Sequence, residues 1–196
     1  SHLRWVRAII GRAEGRCFSA LSLLITQRGT LFLTDTYVNL EPSAEELAEM
    51  TMLAADEIRR FGIEPKAALL SHSSFGSRDS ATSEKMRRAL ALIRRAAPEL
   101  EVDGEMHGDA ALSQVLRDRA MPDSRLTGEA NLLVFPTLDA ANITLNVLKS
   151  MSEGLHVGPI LLGAARPAHI LTPSVTSRGV VNMSALAVVE AAQRSG

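Results

Sequence analysis

The stretch Lys66-Ala67-Ala68-Leu69-Leu70-Ser71-His72-Ser73-Ser74-Phe75-Gly76-Ser77-Arg78 decides the fold. Its first half is a short apolar run with the length of a buried strand, and its second half is a loop rich in serine and glycine. A helix is predicted over residues 80–97, closed by Pro98. Strand, polar loop and helix in this order form the repeating unit of an α/β sheet, where ligands bind at the carboxyl ends of the strands. Backbone N–H groups and serine hydroxyls in the loop can hold a phosphate, a carbonyl or a carboxylate, and Arg78 adds positive charge. The competing reading is a polar loop that caps the next helix.

On the amino-terminal side, residues 21–26 and 30–34 are β-like runs split by Gln27-Arg28-Gly29, a hairpin signal. The helix after them has the clearest signature in the chain. Ser43 and Glu46 form a capping-box pattern, and Leu47, Met50, Ala54, Ile58 and Phe61 recur at steps of three and four. Arg59 and Arg60 suit its last turn, and Gly62 is the expected stop. On the carboxyl side, strands are predicted over residues 101–104, 132–135, 157–162 and 168–171, with helices over 110–120, 140–153 and 182–193. This alternation predicts an α/β fold of three layers, αβα, around a mostly parallel sheet. Residues 163–167 are rich in small side chains, and the strand and helix beyond them cannot make a domain alone. The predicted organisation is therefore an α/β domain over residues 1–164 and a return segment over 165–196 that belongs to an incomplete first domain.

Charge balance excludes several function classes. Lys and Arg number 21 against 22 Asp and Glu, a net charge of −1, so nothing global points to nucleic acid or an acidic membrane surface. Aromatic residues are only 4 %, which makes the core aliphatic and argues against platforms for stacked bases. The sole cysteine, Cys17, leaves no internal disulfide and no CxxC motif, and fits a reducing compartment. No apolar stretch approaches the ~18 residues of a membrane span. The amino end lacks a signal-peptide pattern, so the expected location is cytoplasmic. Arg4, Arg7, Arg12 and Arg16 read as a solvated helix face or a docking surface for a neighbouring domain, ahead of nucleic-acid binding.

Walker, GxGxxG, HExxH and GxSxG motifs are all missing. Asp103, Glu105, His107 and Asp109 place four possible metal ligands at alternate positions. Strand alternation spreads such side chains by about 6–7 Å per step, so polar contacts at a strand end or subunit interface compete with a metal site, and no metal site is predicted. Cys17 and His72 can in principle pair as nucleophile and base, against the reading of Cys17 as a small buried apolar group.

From about residue 32 to 193 the chain resembles the phosphate acetyltransferase/butyryltransferase family. The resemblance rests on motifs that recur in order: Leu31-Phe32-Leu33-Thr34-Asp35, Glu41-Pro42-Ser43-Ala44-Glu45-Glu46-Leu47-Ala48, the loop from Leu70 to Ser77, and Val102-Asp103-Gly104-Glu105. Asp109-Ala110-Ala111, Pro122-Asp123-Ser124, Gly128-Glu129-Ala130-Asn131, Phe135-Pro136, Asn142-Ile143 and Gly158-Pro159-Ile160-Leu161-Leu162-Gly163 continue the series. The resemblance implies the second domain of that fold, which makes the dimer interface. It also implies a cleft against a first domain where acetyl phosphate and CoA meet. On this basis Ser73, Ser74, Gly76 and Ser77 stand at the cleft edge, with Asn142, Pro159 and Thr172 from other loops. The implied ligand is CoA or acetyl-CoA.

Four departures from the active family stand out. Asn146 falls where its lysine is expected, Val157 where tyrosine is common, Pro173 where the phosphate-binding arginine lies, and Gly179 where an aspartate would deprotonate the thiol. A lost charged hydrogen bond to phosphate costs about 1.5–3 kcal/mol, and a lost general base costs about 10²–10⁴ in rate. No catalytic residue is predicted. The wording Leu171-Thr172-Pro173-Ser174-Val175-Thr176-Ser177-Arg178-Gly179 resembles the degenerate domains at the carboxyl end of bacterial NADP-dependent malic enzymes. That branch implies a regulatory domain that senses acetyl-CoA and supports oligomerisation, a homodimer within a larger oligomer. It would be joined to an amino-terminal malic enzyme part that holds NADP and a divalent metal. Two alternatives stay open: a piece of an active phosphate acetyltransferase, and a ligand-free dimerisation module.

Overall fold

The computed structural model describes residues 2–152, 154–171 and 175–194. Helix α1 (His2–Ile9) precedes an antiparallel hairpin of β1 (Ser19–Thr26) and β2 (Gly29–Thr34). There follow α2 (Ala44–Arg60), β3 (Lys66–Leu70), α3 (Ala81–Ala96) and β4 (Glu101–Met106). The short helices α4 (Gly108–Ala111) and α5 (Gln114–Ala120) lead to β5 (Leu132–Val134), α6 (Leu138–Met151), β6 (Leu155–Leu162) and α7 (Ser177–Arg194). The strands form one sheet in the order β4-β3-β5-β2-β1-β6. Pairs β4·β3, β3·β5 and β5·β2 are parallel, and β1 runs antiparallel to both of its neighbours. β6 therefore runs with the parallel set. The sheet is mostly parallel, as its sequence predicts.

Strand alternation builds two cores. Ala67, Leu69, Leu132 and Val134 face Leu47, Met50 and Ile58 of α2 and Met86 and Ile93 of α3. Their neighbours Ala68, Leu70, Leu133 and Phe135 face the opposite layer, against Ala111 of α4 and Ala141 and Leu145 of α6. Near-continuous apolar strands are what a sheet covered on both faces requires, and this is the three-layer arrangement. Met183 adds α7 to the α2–α3 side.

Local chemistry explains the helix ends. Ser43 Oγ accepts the Glu46 N–H at 3.2 Å while Glu46 Oε2 accepts the Ser43 N–H at 2.8 Å, the reciprocal cap its spacing predicts. Gly62 adopts φ +74° just beyond α2, a left-handed stop that a side chain would strain. The cap of α3 is Ser80 with Ser83, so the serines of residues 71–77 are free for another role.

Two sequence expectations need correction. The predicted helix over 110–120 is two helices, because Ser113 caps a new start through the Leu116 N–H at 3.4 Å. Arg117 then turns inward, where its guanidinium donates to the carbonyls of Ala110, Leu126 and Gly128. The predicted strand over 168–171 does not form. There His169 turns into the body instead: its Nδ1 accepts the Leu161 N–H at 3.3 Å and its Nε2 lies 3.5 Å from Glu190 Oε1.

Candidate functional site

Because β3, β5 and β2 are parallel neighbours, the loops that follow them leave the sheet at one edge. These are residues 71–80 after β3, Phe135 and Pro136 after β5, and residues 35–43 after β2. Lys85 of α3 clamps two of them, donating to the Pro136 carbonyl at 2.8 Å with Glu41 at 3.7 Å.

The loop after β3 is wound around one buried carboxylate. Glu105 is fully buried at the end of β4. Its Oε1 accepts from Ser73 Oγ at 2.7 Å, the Gly76 N–H at 3.0 Å and Arg87 Nη1 at 3.1 Å, and its carbonyl accepts the Phe75 N–H at 2.7 Å. Ser73, itself fully buried, accepts the Arg78 N–H at 3.1 Å. Its hydroxyl is thus an internal tie. Ser74 and Gly76 are more open and Ser77 is exposed. Ser74 Oγ accepts the His107 N–H at 3.2 Å, and Ser77 Oγ accepts the Ser74 N–H at 3.0 Å. In these two hydroxyls the oxygen is used to shape the loop, and the edge of the loop faces solvent.

Asn142, on the first turns of α6, donates to the Thr36 carbonyl at 3.1 Å, and Thr36 Oγ1 meets Ser22 Oγ at 2.9 Å. Pro159 belongs to β6, and since Ile160 and Thr34 both pair with Leu21, Pro159 lies one residue inside the same edge. The edge therefore carries the serine loop at β3 and the Asn142–Pro159 side from β2 to β6. From β3 to β6 is four strand spacings, about 19 Å. A small anion meets one side only, whereas an extended ligand can reach both. Thr172 lies outside the described residues. A cavity of about 930 Å³ opens at the opposite edge, among Ile25, Arg28, Leu31, Leu112, Leu148 and Leu155, and none of the predicted site residues among the described ones lines it.

Asp35, which in the sequence only ends a family motif, organises the loop after β2. Asp35 is buried, with Oδ1 accepting the N–H groups of Ala20, Tyr37 and Val38 and Oδ2 accepting both the N–H and Nδ2 of Asn39. Burial pushes its carboxyl up, against the pull of the Tyr37 and Asn39 donors. An aspartate directly after an apolar strand was the available signal. Asp103 is engaged by Arg94 at 2.7 Å, Ser124 at 2.9 Å and the Arg125 N–H at 2.7 Å. His107 donates to the His72 carbonyl at 2.8 Å. The alternating acidic segment thus makes polar contacts at a strand end. Burial, with Glu49 beside it, pushes the Cys17 thiol up to about 12, so Cys17 is no activated nucleophile, and it packs against the α2–α3 core while His72 is exposed on the serine loop.

The family model for phosphate acetyl/butaryl transferase matches residues 1–188. The chain belongs to this family. It is similar to a phosphotransacetylase structure from Streptococcus pyogenes, with TM-score 0.89 and 31 % identity over 97 % of this chain and 58 % of that one. It is 72 % identical over 190 residues to a protein of Rhizobium meliloti named NAD-dependent malic enzyme, covering 96 % of this chain and 25 % of that protein. A protein of Escherichia coli named NADP-dependent malic enzyme is 55 % identical over 192 residues, 97 % of this chain and 25 % of its own length. The chain therefore spans about a quarter of the malic enzymes it matches, and corresponds to their phosphate acetyltransferase-like portion.

Proposed function

We propose that this chain is the regulatory domain of a malic enzyme: it binds acetyl-CoA or CoA at the edge carrying the serine loop, performs no acyl transfer, and helps assemble the parent as a homodimer within a larger oligomer. The observation that carries this reading is the similarity to malic enzymes over almost the whole chain, joined to the family's absent charged groups. Asn146 stands in place of the expected lysine and spends its Nδ2 on the Asn142 carbonyl at 2.9 Å and Oδ1 at 3.0 Å. Gly179, in the first turn of α7, has no carboxylate where the family has its aspartate. Pro173 offers no cation. The Ser74 and Ser77 hydroxyls and the second N–H of Asn142 Nδ2 offer donors, with Gly76 and Pro159 beside them, and neutral donors without a cation suit a pantetheine arm better than a free phosphate.

The homodimer is supported by α6, where Ile143, Val147 and Met151 are 63 %, 50 % and 80 % exposed at steps of four, an apolar stripe that a monomer leaves in water. Residues 165–196 are read as the return segment of an absent first domain. The parent's amino-terminal part would hold the nicotinamide dinucleotide and the divalent metal. Its relatives are named for NAD in one case and NADP in another, and NADP is the cofactor proposed here. A cytoplasmic location belongs to the same proposal.

Assaying acetyl-CoA formation from acetyl phosphate and CoA with the full-length protein tests the reading. Turnover is expected to be absent while acetyl-CoA still binds in calorimetry. Turnover at ordinary enzymatic rates would reassign the chain to the active transferases, and absence of both would leave a dimerisation module.

A further inference from the structure

The conformation of the serine loop is not self-supporting. Phe75 has φ +49°, a left-handed geometry that a bulky residue rarely adopts, and Gly76 follows at φ +83°. The N–H groups of these two residues both end on Glu105, at its carbonyl and its Oε1. Ser73 ties both flanks of the strained turn to the same carboxylate, because it donates to Glu105 and accepts from Arg78. Fully buried, that carboxylate has one cation against it among the described residues, Arg87 at 3.1 Å. Removing Arg87 leaves the buried Glu105 carboxylate without its cation. The second arm of Arg87 reaches Asp79 at 3.0 Å, but Asp79 is 93 % exposed and an ion pair in water anchors little.

We propose that Glu105 and Arg87 are positioning residues: the ion pair of the buried Glu105 with the half-buried Arg87 sets the turn at residues 73–78 and so the presentation of Ser74 and Ser77 to a ligand. The ligand half of this inference rests on the function proposed above, whereas the loop half does not.

The test uses the full-length protein in two measurements: hydrogen exchange at the amides of Phe75, Gly76 and Arg78, and calorimetric titration with acetyl-CoA. In Arg87→Met and Glu105→Gln, exchange at those three amides should quicken by about ten- to hundredfold, while amides in the middle of α2 keep their wild-type rates. Acetyl-CoA affinity should fall about tenfold. Arg87→Lys, which keeps the charge, should restore part of both, and Asp79→Asn should change neither by more than about twofold. If Glu105→Gln does not fold, the Arg87 series alone decides. Unchanged loop amides in Arg87→Met, or acceleration spread equally through α2, would overturn the positioning role. A wild type that fails to bind acetyl-CoA would overturn the proposed function, with the exchange result still deciding the loop.

Discussion

Nε2 of His169 stands 3.5 Å from Oε1 of Glu190, and the two side chains are 4 % and 5 % exposed. The two groups face each other between the segment after β6 and α7, and they have a neighbour in Glu57 of α2, whose Oε2 accepts from Arg60 Nη1 at 2.9 Å. Two carboxylates, one imidazole and one guanidinium thus meet beneath α7, beside a small cavity rimmed by Arg16 and Asp56.

Burial pushes the Glu57 carboxyl above its ordinary value of 4.5, and the charge of Glu190 pushes it further, against the pull of Arg60. A group with a raised folded value holds its proton more tightly in the folded state. Its contribution to stability is complete below about pH 4.5 and is lost as pH rises through the raised value. Thermal melts from pH 4.5 upward should therefore fall less steeply for Glu57→Gln than for wild type. Equal slopes would show that Glu57 does not govern the junction.

Arg117 is a fully buried cation held by three carbonyls, at 3.0 Å (Ala110), 3.1 Å (Leu126) and 2.7 Å (Gly128). Arg117→Ala strands all three and opens a cavity, so urea unfolding should register a loss of about 3 kcal/mol or more. Arg117→Lys should recover only part, because a point charge cannot reproduce the planar fork. A loss below about 0.5 kcal/mol for the alanine variant would refute this role.

With its thiol pushed up to about 12 by burial and by Glu49, Cys17 is a neutral thiol at pH 8. Alkylation by iodoacetamide at pH 8 should be much slower in the native protein than in urea, by about tenfold or more. Equal native and denatured rates would place the thiol in open, electropositive surroundings.

What was legible in the sequence was local. The α2 cap needs only Ser43 and Glu46, three residues apart, and the apolar runs of β3 and β5 announce themselves within a few positions. The site was legible as a loop but not as a mechanism. Ser73 and Glu105 are 32 residues apart, and no periodicity connects them. Asn142 reaches Thr36 across 106 residues. The insertion of β5 between β3 and β2 is equally non-local, since it depends on which faces the helices cover. His169 defeated the strand expectation for the same reason: its partners are Leu161 and Glu190, on other elements.

Acetyl-CoA inhibition of malate turnover by the full-length enzyme, wild type against Ser74→Ala plus Ser77→Ala, tests the central claim most directly. Ser73 is left intact because its buried hydroxyl belongs to the Glu105 tie. Each lost neutral hydrogen bond is worth about 0.5–1.5 kcal/mol, so the double variant should need roughly five- to hundredfold more acetyl-CoA for half-inhibition. By linkage, acetyl-CoA that inhibits must bind the less active state more tightly, and malate turnover measured without effector separates a lost effector contact from a loop that has lost its shape. Identical inhibition curves for the two proteins would contradict the account and place the effector away from this loop.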